Sequence, residues 1–210
     1  MGEVAMIELQ TPISEEQIRS LRTGDVVKLS GIVVTARDAA HKLMIENFIR
    51  TDEIKRPELY AKLKPLLEGG VIYHCGPVVA QNEDGTYRFV AAGPTTSIRE
   101  EPYEADVIGH FKVRGIIGKG GMGPKTLAGC KEHGAVYFHA VGGAASLIAS
   151  VVEEVVDVFL KDELGVPEAF WVIRVKDWEL VVTMDSHGNS LHDEVQAKSE
   201  ARFKELVGLS

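Results

Sequence analysis

Apolar positions along the chain switch between a period of two and a period near 3.6, and the switches outline the elements. Residues 3–9 alternate loosely and predict a short strand, with a turn at Thr11-Pro12. Ser14-Glu15-Glu16-Gln17 has the form of a capping box and opens a helix to about Leu21. Gly24-Asp25 turns into Val26–Thr35, a β-branched strand interrupted at Ser30-Gly31, where a bulge fits. Ala39, Ala40, Leu43, Met44 and Phe48 recur at helical spacing between Arg37 and Ile49. Residues 50–68 are charged, contain Pro57 and Pro65, and read as helical fragments at the surface. Val71–Cys75 predicts a strand, and Asn82–Gly85 a hairpin turn between Val78–Gln81 and Thr86–Ala91.

From Gly93 to Gly121 glycine becomes dense. Lys112–Ile117 predicts a strand, and Pro124–His133 a helix ended by Gly134. Ala135–Val141 predicts another strand. Ala144–Leu160 is apolar on most faces and predicts a largely buried helix. Ala169–Lys176 and Glu179–Met184 predict two strands, Asp185–Asn189 a turn, and residues 193–210 a helical tail at the surface. Strands and hairpins giving way to β-α-β alternation predict an α/β fold, a mixed sheet with covering helices, as a single domain over residues 1–210.

Charge narrows the partners. With 23 Lys and Arg against 31 Asp and Glu, the net charge of −8 opposes sequence-independent nucleic-acid binding. No run approaches the ~20 apolar residues of a membrane span. MGEVAMIELQ lacks the features of a signal peptide, so a cytoplasmic protein with reduced thiols is expected. Two cysteines, Cys75 and Cys130, make neither a disulfide framework nor an iron–sulfur ligand set, which takes three or four thiolates. No metal ligands are expected in this chain.

Four junctions carry candidate chemistry. Thr35–His41 places Arg37, Asp38 and His41 where a strand meets a helix; solvated charges at a helix N-terminus use the same residues. Gly93–Arg99 offers three successive hydroxyls and Arg99; a turn with a hydroxyl cap uses the same types. If residues 95–99 are helical, Thr95 and Arg99 share a face. Gly118–Gly123 surrounds Lys119 with glycine but is no P-loop, because no Ser or Thr follows the Lys directly. Its glycines permit close backbone approach, and the helix from Pro124 is expected to aim its N-terminus at the same place. Ala140–Ala145 is a small-residue junction suited equally to tight packing and to lining a site. Convergence of Arg37, Arg99 and Lys119 would suit a di- or tricarboxylate or a phosphorylated metabolite.

TARDAAH, GPTTSIR, GKGGM and GAVYFHAVGGAASL occur in this order, and FWVIRVKDWELVVTMDSHGNSLH follows. Together, over about residues 5–192, they resemble the β subunit, or C-terminal domain, of the iron–sulfur-dependent class I fumarases and L-tartrate dehydratases. The resemblance implies a swivelling β/β/α domain and a [4Fe–4S] cluster held by a partner α subunit. It implies that Thr95 acts as catalytic base, that Lys119 contacts substrate and acts in catalysis, and that Arg37 and Arg99 bind substrate carboxylates. Asp38, His41, Gly118 and Gly120 take supporting places in the same motifs. Glu100 departs from the Met that follows this Arg in many relatives, and Leu43–Val90 is longer than in some.

The expected activity is reversible hydration of fumarate to (S)-malate by a hydro-lyase active only with its α subunit. A hetero-oligomer of α2β2 type is expected, or a homodimer of the isolated chain. The alternatives are the β subunit of L(+)-tartrate dehydratase, which makes oxaloacetate and water from tartrate, and a non-catalytic carboxylate-binding or assembly module.

Overall fold

The computed structural model describes residues 6–208. The chain enters through β1 (Ile7–Gln10) and α1 (Glu15–Ser20); the expected strand residues 3–5 lie outside the described part. Ser14 accepts from the Gln17 backbone N–H while the Gln17 side chain accepts from that of Ser14, which completes the capping box. β2 (Val26–Thr35) then runs through the anticipated bulge at Leu29–Gly31 into α2 (Asp38–Met44). A π-helical turn continues α2 to Ile49. α3 (Pro57–Leu67) is one helix rather than fragments, with Pro57 in its first turn and Pro65 near its end. β3 (Val71–Tyr73) is followed by the hairpin β4 (Val78–Gln81) and β5 (Tyr87–Ala91).

The second half departs more from the pattern. α4 (Glu104–Phe111) occupies a stretch where glycine content had masked it, although Val107, Ile108 and Phe111 share one buried face. Lys112 ends α4 in the left-handed region, so the next strand, β6 (Gly115–Gly118), starts three residues later than expected. α5 (Pro124–His133), with left-handed Gly134 at its C-terminus, and β7 (Val136–His139) follow.

The buried helix expected over Ala144–Leu160 is not there. A short α6 (Ala145–Ala149) gives way to β8 (Val152–Phe159), half exposed and, among the described residues, paired with one neighbour. Valines at 151, 152, 155, 156 and 158, separated by acids, suit such a half-exposed strand better than a helix. After α7 (Lys161–Leu164), the two expected late strands form one, β9 (Phe170–Met184), with Asp177 at φ 50° absorbing the irregularity between them. α8 (Leu191–Val207) is the surface tail; none of its residues is buried.

The principal sheet has the order β1-β2-β3-β6-β7-β9-β8. β1, β2, β3, β6 and β7 run parallel, while β9 lies antiparallel to β7, β8 and β2. Because β9 pairs with both β7 and β2, the sheet closes through β2-β3-β6-β7-β9. Period-two alternation divides the core. Val33, Val71, Tyr73, Phe138, Trp171 and Ile173 form one cluster with α1, α6 and the hairpin. Val34, Ile72, Ile116, Tyr137 and Val172, on the opposite face, pack with α2, α3 and α4. No helix among the described residues is long and apolar enough to cross a membrane.

Candidate active site

β2, β3, β6 and β7 are parallel neighbours, so their carboxyl ends line one edge, the place where α/β sheets hold ligands. Arg37 and Asp38 follow β2, His74 follows β3, and Lys119 follows β6. The segment after Gly93 is laid across this edge. The Thr95 backbone N–H donates to the His74 carbonyl at 2.8 Å, and Thr95 Oγ1 donates to the same oxygen at 3.2 Å. Thr96 bridges to Lys119, and the Ser97 N–H donates to the Lys119 carbonyl at 3.2 Å. Arg99 Nη1 lies 3.7 Å from Asp38 Oδ2. The topology thus brings Arg37, Thr95, Arg99 and Lys119 to the same sheet edge from three sequence motifs.

Their electrostatic settings differ. Arg37 is held by Glu168 at 3.3 Å, and its Nε is buried without a partner. Gly76 passes so close that a Cβ there would stand 2.6 Å from Arg37 Nη1. Arg99 is half exposed, and among the described residues its one ion-pair contact is the long one to Asp38. Lys119 has no ion-pair partner among the described residues, and a Cβ at Gly142 would stand 3.6 Å from its Cδ. A groove of about 610 Å³ between β7, β9 and α8 meets this region at Gly120 and His139 and carries none of the three cations.

Two local expectations need correction. Thr95 and Arg99 do not share a helical face: Thr95 lies in extended chain, and the helical turn is a 3-10 turn at Ser97–Glu100. The N-terminus of α5 is not open to a ligand either. Glu101 accepts from the backbone N–H groups of Gly123, Lys125 and Thr126 at 2.8, 2.8 and 3.3 Å, and from Thr126 Oγ1 at 2.6 Å. The protein's own carboxylate fills that anion position.

Beneath the edge lies a polar chain that sequence reading reached only at His41 and Ser97. Glu104 Oε2 is 3.0 Å from both His41 Nε2 and His74 Nε2, and all three side chains are fully buried. His41 Nδ1 meets the Arg37 carbonyl at 2.9 Å. His41 Nδ1 donates to the Arg37 carbonyl, and Nε2 lies 3.0 Å from the Glu104 carboxylate without an aligned hydrogen bond; a second proton on Nε2 makes that contact an ion pair. His74 Nδ1 meets Ser97 Oγ at 2.9 Å, and Tyr137 Oη donates to the same Oγ at 2.9 Å. With Ser97 accepting from Tyr137, its own proton goes to His74 Nδ1, and His74 is neutral with its proton on Nε2.

The pKa directions agree with this assignment. Burial works against the charged His41, but Glu104 and the Arg37 carbonyl raise its pKa. Burial lowers that of His74. Burial would raise Glu104, but His41 and then His74 override it and hold the carboxyl at about 2.

Glu100 is a second buried carboxyl in this region. Burial, and then the adjacent Asp38 carboxyl, push it up to about 8. An unfolded Glu titrates near ~4.3, so the folded state retains a proton that the unfolded state releases. That contribution to stability is complete below the unfolded value and is lost as pH rises toward 8. Glu100→Gln is therefore expected to gain thermal stability relative to the parent between pH 5 and pH 8. Thermal unfolding at both pH values checks this; a difference independent of pH would mean that Glu100 is ionised in the folded protein.

The family model described as "Fumarase C-terminus" matches residues 1–195. The chain belongs to the fumarase C-terminus family. Within that family it is 50% identical over 209 residues to a Geobacillus stearothermophilus protein that carries the provisional name fumarate hydratase class I; the match takes in 98% of this chain and 38% of that protein. It is 42% identical over 184 residues to the L(+)-tartrate dehydratase subunit beta of Escherichia coli K12, covering 87% of this chain and 85% of the other. The chain thus belongs with the β subunits of the class I fumarate hydratase and L(+)-tartrate dehydratase family, and spans about two fifths of the longer relative.

The iron–sulfur cluster that the family resemblance implies does not fit this chain. Cys75 and Cys130 are buried, free, and on different elements, and burial pushes both thiols up, Cys75 to about 12. Two such thiols cannot supply three or four thiolate ligands.

Proposed function

We propose that this chain is the β subunit of a hydro-lyase that interconverts fumarate and (S)-malate in complex with a cluster-bearing α subunit. The observation that carries the reading is the delivery of Arg37, Thr95, Arg99 and Lys119 to one sheet edge in an acidic protein. The edge is open, and exposed Ile98, Val141 and Leu147 lie beside or near it in the chain, as a surface completed by another subunit would require.

Dehydration of malate breaks a C–H bond next to one carboxylate and a C–O bond on the neighbouring carbon, leaving a C=C bond and water. In this reading Arg37 and Arg99 hold the substrate carboxylates, the planar guanidinium matching a carboxylate edge. Lys119 stabilises the negative charge that builds on the reacting end as the C–H proton leaves. Thr95 directs its hydroxyl proton to the His74 carbonyl, which leaves an oxygen lone pair to face that C–H. A neutral hydroxyl is too weak a base to take that proton, so Thr95 acts after ceding its own proton to water, the three cations lowering its pKa, and the C–H proton then restores the hydroxyl. Asp38 orients Arg99, and His41 holds the Arg37 backbone.

Tartrate dehydration is the second reading, favoured by the match to a tartrate dehydratase subunit beta over most of both chains. Anaerobic co-expression with the α subunit, followed by assay on both substrates, tests the pair. Fumarate from malate is the expected result. Oxaloacetate from L(+)-tartrate, without malate turnover, moves the chain to the second reading. No turnover of either with an intact cluster overturns both in favour of a carboxylate-binding module.

A further inference from the structure

We propose that His74, locked in a single tautomer by the buried His41–Glu104 ion pair, is the positioning residue for Thr95. The proposal deepens the hydro-lyase reading and rests on it for its kinetic consequence. His74 meets the site with its backbone and the core with its side chain. Its carbonyl accepts both the N–H and the hydroxyl of Thr95, at 2.8 and 3.2 Å. Its own N–H donates to the Ile117 carbonyl at 2.8 Å, which ties it to β6 just before Lys119. Its ring is gripped at both nitrogens, by Ser97 Oγ at 2.9 Å and Glu104 Oε2 at 3.0 Å.

The grip has a direction. A neutral imidazole offers one donor and one acceptor; a 180° ring flip would set C–H groups against Ser97 and Glu104, and the other tautomer would set the Nε2 lone pair against the Glu104 carboxylate. Glu104 selects the Nε2–H form because its carboxylate only accepts. Glu104 remains a carboxylate in the interior because His41 lies 3.0 Å away with a positive charge. Remove the acceptor at Glu104 and the buried Nε2–H is left unpaired, a cost that the ring escapes by turning. Turning it loosens Ser97, whose backbone holds Lys119, and the carbonyl that aims Thr95. A base displaced by about 1 Å loses on the order of 100-fold in rate.

Glutamine at position 104 separates positioning from charge. Its amide oxygen, standing where Oε2 stands, accepts from His74 Nε2–H and from His41 Nε2–H, so the bond that fixes the His74 tautomer is kept while the carboxylate charge is gone. The chain of hydrogen bonds therefore closes again without the ion pair.

In the two-subunit enzyme, Glu104→Ala is expected to lower kcat for dehydration by about 100-fold with KM changed less than about three-fold, and Glu104→Gln to recover kcat to within about five-fold of the parent. The tautomer and the Thr95 contact are read on the full β chain by ring-nitrogen NMR and amide exchange. His74 should show Nε2–H in the parent and in Glu104→Gln, but not in Glu104→Ala. The Thr95 amide should exchange about 100-fold faster in Glu104→Ala while the α5 amides are unchanged. Should Glu104→Ala not fold, Ser97→Ala takes its place, with a kcat loss of about 10-fold and faster Thr95 exchange expected.

Equal kcat for the Gln and Ala variants, a KM effect alone, or unchanged Thr95 exchange would overturn the proposal. So would a stoichiometric divalent metal in the purified chain, because the two rings and the carboxylate would then be its ligands. The NMR and exchange results do not depend on turnover. If they come out as expected while no dicarboxylate reacts, the hydro-lyase reading fails and the positioning of Thr95 by His74 stands.

Discussion

Replacing Arg99 and Lys119 together by alanine is expected to lower kcat/KM of the assembled enzyme by roughly 10⁴-fold while leaving the fold intact. The size follows from the charges. Removing one preorganised donor from a water-excluded site costs about 10²–10³ in rate, and two that act on the same dianion reinforce one another. The fold is spared because neither side chain supports it. Arg99 is half exposed and touches Asp38 only at 3.7 Å, a surface pair worth about 0–1 kcal/mol, and Lys119 pairs with nothing among the described residues. Steady-state kinetics alongside thermal unfolding measures both sides. Activity within ten-fold of the parent would mean that substrate binds elsewhere on the chain.

Gly118→Ala is the second large effect, and it acts on stability. A Cβ at Gly118 would stand 1.9 Å from Ser97 Oγ and 2.7 Å from Tyr137 Oη. Neither oxygen is free to retreat, since Ser97 Oγ sits at 2.9 Å from both His74 Nδ1 and Tyr137 Oη. Overpacking of this kind costs about 1–3 kcal/mol, and here a buried hydrogen bond goes with it. Gly120, two residues on, has open space for a Cβ but sits at φ +80°, so alanine there meets only backbone strain of roughly 1 kcal/mol. Urea unfolding of the two variants should rank Gly118→Ala as the less stable by at least about 1 kcal/mol. The reverse order would show that the network under the site yields easily.

The glycines of one motif thus do different work, and the sequence showed only that they were glycines. Legibility followed the range of the forces involved. The Ser14 capping box, the Asn82–Gly85 turn and the Pro124–Gly134 helix are local agreements of residue type with backbone geometry, and each was read correctly. β8 was mistaken for a helix because its valines have no partner strand in the sequence; β9, which gives them one, lies beyond α7. α4 was missed among glycines although its apolar spacing was present. At the site, the motifs pointed to Arg37, Thr95, Arg99 and Lys119 because cations and hydroxyls at strand ends and glycine-rich junctions are visible one residue at a time. His74 and Glu104 stayed hidden, since a lone His after a strand and a lone Glu opening a helix become a pair only when β3 and α4 meet. Glu101 likewise gave no sign that it would fill the N-terminus of α5.

The closure of the sheet also governs when this protein can begin to exist. β2 finds its antiparallel partner in β9, with Val26 opposite Val181 and Val34 opposite Val172. As the ribosome releases the chain, the strands that carry Arg37, His74 and Lys119 emerge long before the one that completes their sheet. Until β9 arrives, β2 and β7 present unpaired edges, which invite other chains. Ring closure across so long a loop is entropically costly and slow. Nascent chains stalled before residue 170 should therefore remain protease-sensitive and hold to chaperones, while release of the last forty residues converts them together into a protected form.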